Sequence, residues 1–160
     1  MRPRQLQLCP GSADRTTDDA ASVDLGFRLI HADANRAEEL ADNAMALNAL
    51  GYTLADRTPR LAEARQLIDK AHQLSPDDPA ILDSMGWIRY RQGQLADAER
   101  YLRQAYERFP DAEVAAHLGE VLWAQGKRSE ARKVWRVGLD ADADDAILRS
   151  TLKRLTGSET

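Results

Sequence analysis

The sequence predicts an all-α protein built as a stack of antiparallel helix pairs. Apolar residues recur at helical spacing along seven consecutive segments from Ala44 onward, and no stretch shows a strand alternation of useful length. Small residues return with a period near 34. A single helix hairpin cannot bury both of its flanks, whereas a stack of them can.

The elements follow in chain order. Residues 1–22 hold Pro3, Pro10, Gly11, Ser12, Thr16 and Thr17 with few large apolar groups, so they are expected to form a disordered tail. Residues 23–43 carry Leu25, Phe27, Leu29, Ile30, Ala34, Ala37 and Leu40 in an irregular pattern, which predicts a weak helix or a worn upstream repeat. The stack itself is expected over 44–155, as pairs 44–56 with 61–74, 79–91 with 95–108, and 112–124 with 128–140. The repeats then run about 44–78, 79–111 and 112–144. A capping helix over 145–155 carries Ile147, Leu148, Leu152 and Leu155, and residues 156–160 form a tail.

The boundaries have physical causes. Asp78 can accept backbone N–H groups as an N-cap, and Pro79 at the first helical position loses nothing by lacking its own N–H. Asp111 is placed to cap the helix from Ala112, and Asp144 or Asp145 the last helix. Pro59 and Pro76 break helices, while Gly93 and Gly126 sit where a tight reversal calls for positive φ.

The period is carried by several columns. Gly51, Gly86 and Gly119 recur at 35 and 33 residues; Ala64, Ala98 and Ala131 at 34 and 33; Ala71, Ala105 and Gly138 at 34 and 33. Pro76 and Pro110 are 34 apart. Small residues let paired helices approach closely, and Leu50, Leu54, Leu67, Ile68, Met85, Ile88, Tyr101, Leu102, Leu118, Leu122, Val134 and Trp135 fill the gaps between them.

These columns, with Leu50-Gly51-Tyr52, Met85-Gly86-Trp87 and Leu118-Gly119-Glu120, resemble the tetratricopeptide repeat. The phrases NAMALNALGYTLAD and DDPAILDSMGWIRYRQGQLADAERYLRQA also look like the C-terminal region of longer proteobacterial proteins of that family. Leu47, Leu82 and Ala115 depart from it, standing where the family has a large first-helix aromatic. The resemblance implies a right-handed α-solenoid with a concave groove lined by the first helix of each pair. Carried over position by position, the groove set is Asn48, Tyr52, Asp83, Trp87, Tyr90, Arg91, Glu120 and Trp123. Its aromatic members combine large contact area with a hydrogen-bonding handle, which suits a bound peptide or helix. The Lys and Asn clamp by which some members grip a C-terminal carboxylate is absent from Asn48, Tyr52, Asp83, Trp87, Ala116 and Glu120.

Composition narrows the function. The 160 residues carry a formal charge of −4, but Ala44 to Leu155 holds 17 Lys/Arg and 17 Asp/Glu. That balanced body offers no field for tracking phosphates, which argues against nucleic acid as a partner. The lone cysteine, Cys9, excludes an internal disulfide. No run of about 18 apolar residues is present to insert in a membrane, and no secretory h-region opens the chain, so a cytoplasmic location is expected.

Catalytic chemistry does not assemble. His31, His72 and His117 fall in three different blocks, and no metal-binding, nucleophile or phosphate-loop motif joins them. Asp140, Asp142 and Asp144 begin like a calcium loop, but Asp145 and Thr151 stand where glycine and glutamate are needed. The expected function is therefore a noncatalytic protein-interaction scaffold that takes a peptide or helix in its groove, with no cofactor and no metal. Two alternatives are the capping portion of a longer array, self-associating or docking through its incomplete N-terminal repeat, and a regulatory or nucleic-acid-binding repeat protein.

Overall fold

The computed structural model describes residues 43–157. The tail expected at 1–22, all but the last residue of the weak helix or worn repeat expected at 23–43, and residues 158–160 lie outside them. Seven α-helices make up the described chain: α1 Ala44–Arg57, α2 Leu61–Leu74, α3 Pro79–Arg91, α4 Leu95–Arg108, α5 Ala112–Ala124, α6 Arg128–Ala141 and α7 Ala146–Thr156. They pair as α1/α2, α3/α4 and α5/α6, and α7 packs against α5 in the manner of a further first helix. The first helices α1, α3, α5 and α7 thus lie side by side, each touching the next.

Local chemistry sets the helix ends. Asp78 accepts from the N–H groups of Ala80 and Ile81, with Pro79 at the first position. Asp111 accepts from Val114 N–H at 2.8 Å and Asp145 from Leu148 N–H at 2.7 Å. Asn43 caps α1 in the same way through Ala46 N–H. The turns closing α3 and α5 repeat one motif. Gly93 and Gly126 adopt φ of 77° and 81°, and the next N–H groups, on Gln94 and Lys127, reach back to the carbonyls of Arg89 and Leu122. Both turns thereby satisfy helix-end carbonyls that would otherwise have no partner.

The small-residue columns are the contact surfaces within each pair. A Cβ at Gly51, Gly86 or Gly119 would fall inside the side chain of Ile68, Leu102 or Trp135 respectively. Ala64, Ala98 and Ala131 are wholly buried on the opposing helices. At Gly119 the approach is closest, and the Trp135 indole presses its Nε1 side against α5, donating to the Ala116 carbonyl at 3.4 Å. Gly138 opens the next junction, where Ala115 and Leu148 both crowd the space a side chain would need. Leu54, Ile68, Ile81, Leu82, Ile88, Leu102, Leu118, Leu122 and Leu148 fill the interior, each worth roughly 1.5–3 kcal/mol when fully buried.

Candidate functional site

The layer of first helices carries polar groups that bond from one repeat to the next. Asp83 on α3 accepts from His117 Nδ1 on α5, its two oxygens lying 2.9 and 3.0 Å away. The other ring nitrogen of His117 faces the Tyr52 hydroxyl on α1 at 3.4 Å. The Trp87 ring covers the imidazole face, with centroids 4.3 Å apart and planes 26° from parallel. Three repeats therefore meet at one buried histidine. Burial disfavours its charged form, yet the attraction of Asp83, their hydrogen bond and the charges of Glu113 and Glu120 outweigh that and raise its pKa.

Glu113 sits one turn before His117 on α5, near enough to the Tyr52 hydroxyl for each to affect the other's ionisation. Burial, followed by repulsion from Asp83, raises the Glu113 carboxyl. Burial, followed by the field of Glu113 and then Asp83, pushes the Tyr52 hydroxyl far up, so it stays a neutral donor.

A second tie spans α3, α5 and α7. Tyr90 donates to Glu120 at 2.9 Å, and Arg154 donates to the other Glu120 oxygen at 2.6 Å. Burial and the Glu120 charge push the Tyr90 hydroxyl up to about 12. Arg91 reaches across to α1 instead, donating to the carbonyls of Ala55 and Asp56. A cation there also opposes the negative end of the α1 dipole.

Two clefts open between the first helices. The larger, about 580 Å³, is lined by Trp87, Tyr90, Arg91, Leu95, Glu120 and Arg154. The smaller, about 150 Å³, is lined by Asn48, Tyr52, Asp83, Ser84, Asp111 and Glu113. Each cleft has one buried polar atom with no hydrogen-bond partner: Nε1 of Trp87 beside the larger and Oδ1 of Asn48 beside the smaller.

The eight residues expected from the sequence divide accordingly. Tyr90 and Arg91 are partly exposed at the larger cleft. Trp87 is only 8 % exposed and forms the floor, because it closes over His117. Asn48, Asp83 and Glu120 are buried, and the carboxylates of the latter two are bonded to neighbouring repeats. Tyr52 is partly buried over the smaller cleft. Trp123 turns toward its own hairpin, packing on Trp135 at 5.5 Å beneath the guanidiniums of Arg128 and Arg132. It lines neither cleft.

Sequence reasoning left out Glu113, His117, Leu95 and Arg154. The signal for two of them lies in the repeat period, since Asp83 to His117 and Glu120 to Arg154 are both 34 apart. Donor atoms of Asp83, Glu113 and His117 lie within 4.8 Å of one another, which makes these three the group among the described residues able to hold a metal ion. No described helix is long and apolar enough to cross a membrane.

Comparisons with known proteins agree with this architecture. Tetratricopeptide repeat models match residues 29–79 and 89–155. A TPR repeat-containing protein of Pseudomonas aeruginosa is 75% identical over 119 residues, covering 74% of this chain and 20% of that protein. The human tetratricopeptide repeat protein 7A is 35% identical over 96 residues, covering 59% of this chain and 11% of its own length. The chain thus spans a fifth or less of these relatives. The crystal structure of a thermophilic TPR protein from Thermus thermophilus superposes with a TM-score of 0.66 at 17% identity, over 88% of this chain and 74% of that one. Paired helices, small-residue columns at the repeat period and both family matches place this chain in the tetratricopeptide repeat family.

Proposed function

We propose that the chain is a noncatalytic protein-interaction module that takes an extended peptide or a helix in the larger cleft of its first-helix face. The supporting observation is the Trp87 floor, whose indole N–H has no partner, rimmed by the partly exposed Tyr90, Arg91 and Leu95 and by the exposed Arg154. An apolar side chain would cover Trp87 and Tyr90, and a carbonyl would satisfy the indole. A negative group would suit the two guanidiniums.

A test starts with a partner captured from the source cell and then purified. Its affinity for wild type is compared with that for Arg91→Glu and Tyr90→Ala, with helicity checked by circular dichroism. Trp87 is avoided because removing it uncovers His117. Each folded variant is expected to bind at least about tenfold more weakly, the loss of about 1.4 kcal/mol that one well-packed contact represents. Unchanged affinity in both would refute the assignment.

A second reading is favoured by the family match that begins at residue 29, ahead of α1, and by the small fraction of its relatives that the chain spans. Residues before α1 would then continue the stack, docking on further repeats or on a second copy. Sedimentation of the chain with and without an added upstream repeat tests this. Self-association abolished by the added repeat supports the reading, and a monomer unaffected by it opposes it.

A further inference from the structure

We propose that Asp83, Glu113 and His117 bind a divalent transition-metal ion, with zinc the best match, pinning α3 to α5 beside the smaller cleft. One imidazole and two carboxylates converge within 4.8 Å, a donor set that suits zinc better than magnesium or calcium. Zinc would take the place of the Nδ1 proton that Asp83 accepts, and that proton is released to solvent. The partly exposed Glu113 can rotate inward to close that spread toward the edge of about 3.3 Å expected between ligands of a tetrahedral ion with 2.0–2.1 Å bonds.

Two further observations point to a cation. The Oδ1 of Asn48, a residue only 7 % exposed, has no hydrogen-bond partner and belongs to the lining of the same cleft. Turned toward these three, that amide oxygen would supply a fourth donor from α1. The cleft lining also contains Asp83, Asp111 and Glu113 but no lysine or arginine, a surplus of acidic groups that favours a cation. The cleft itself gives the ion an entry path past Glu113. Such an ion would join helices of three repeats and fix the spacing of the face that carries the larger cleft.

The test uses the full chain stripped with chelator and titrated with zinc chloride by isothermal calorimetry, with thermal unfolding followed in parallel. One ion per chain is expected, together with a raised unfolding temperature, since a ligand that binds only the folded state stabilises it. Glu113→Gln, which keeps the volume of a partly exposed side chain, is expected to weaken binding at least tenfold, and Asn48→Ala to weaken it less. His72→Ala removes the other described histidine, which is partly exposed, and should change nothing. Absence of heat and of a thermal shift at millimolar zinc would overturn the proposal. Binding that survives in Glu113→Gln and disappears in His72→Ala would overturn it equally.

Discussion

Replacing Gly119 with alanine probes the packing on which the stack depends. An alanine Cβ at 119 would stand 2.0 Å from Nε1 of Trp135 and 2.5 Å from both its Cδ1 and Cε2. The indole cannot swing aside: it is 1 % exposed, packs on Trp123 and donates to the Ala116 carbonyl. The α5/α6 hairpin must therefore open by a sizeable fraction of an ångström. Overpacking of this kind costs about 1–3 kcal/mol, and three overlapping ring atoms put Gly119→Ala at the top of that range. Alanine returns about 1 kcal/mol of helix propensity over glycine. The net expectation is a loss of about 2 kcal/mol, read as a lower urea midpoint at unchanged slope by circular dichroism.

The equivalent changes at Gly51 and Gly86 meet Ile68 Cγ1 at 2.6 Å and Leu102 Cγ at 2.4 Å. Those aliphatic side chains have other rotamers to adopt, so both substitutions should cost less than the one at Gly119. A double-mutant cycle sharpens the test. Trp135→Leu rebuilds at the third hairpin the pairing that Gly86 and Leu102 make in the second. In that background Gly119→Ala should cost at least about 1 kcal/mol less than in wild type. A Gly119→Ala protein as stable as wild type, or a cycle with no coupling, would refute close helix approach as the purpose of the glycine column.

Asp111→Ala removes the cap of α5 and should lower stability by about 1 kcal/mol in the same urea assay. Gly93→Ala places a side chain in open space but at φ 77°, so its cost of roughly 1 kcal/mol is backbone strain alone; Gly93→Asn should recover part of it. Tyr90 ionises near 12 in the folded chain against an ordinary 10. Its contribution to stability is accordingly whole below pH 10 and lost as pH rises from 10 toward 12. Tyr90→Phe should make that fall less steep, leaving the part due to the more deeply buried Tyr52, as measured by urea unfolding at stepped pH.

Helix positions were legible in the sequence because their ends are chemical events. Asp78, Asp111, Gly93 and Gly126 each act as their spacing predicts. The small offset at α7 has the same origin, since Asp145 is spent as the cap and the helix starts at Ala146. Its other end, closed by Gly157 at φ 77°, was not anticipated. The site was less legible. A repeat column tells which helix face a residue occupies but not whether its neighbour closes over it. Trp87 reads as a groove aromatic until His117, arriving from the next repeat, stacks beneath it. Trp123 lies near the end of α5, where the helix face has turned toward α6, and Trp135 claims it. Asp83 and Glu120 read as free polarity for a partner, whereas their carboxylates answer a histidine and an arginine 34 residues on.

That arrangement has a functional consequence. Polar groups consumed in holding repeat to repeat rigidify the first-helix face, and a preorganised face loses less entropy when a partner binds. In the proposed reading, recognition would fall to the exposed parts of Tyr90, Arg91, Leu95 and Arg154, three of which also bond between repeats, around the unpaired indole N–H of Trp87.

The bond between repeats at His117 is tested most directly by proton–nitrogen correlation spectroscopy of the histidine rings in the metal-free protein. A slowly exchanging, far-downfield Nδ1 proton is predicted for His117, lost in a folded Asp83→Ala variant while the His72 signals stay unchanged. A His117 ring that exchanges freely with water, or keeps its downfield proton without Asp83, would contradict the inter-repeat bonding described above.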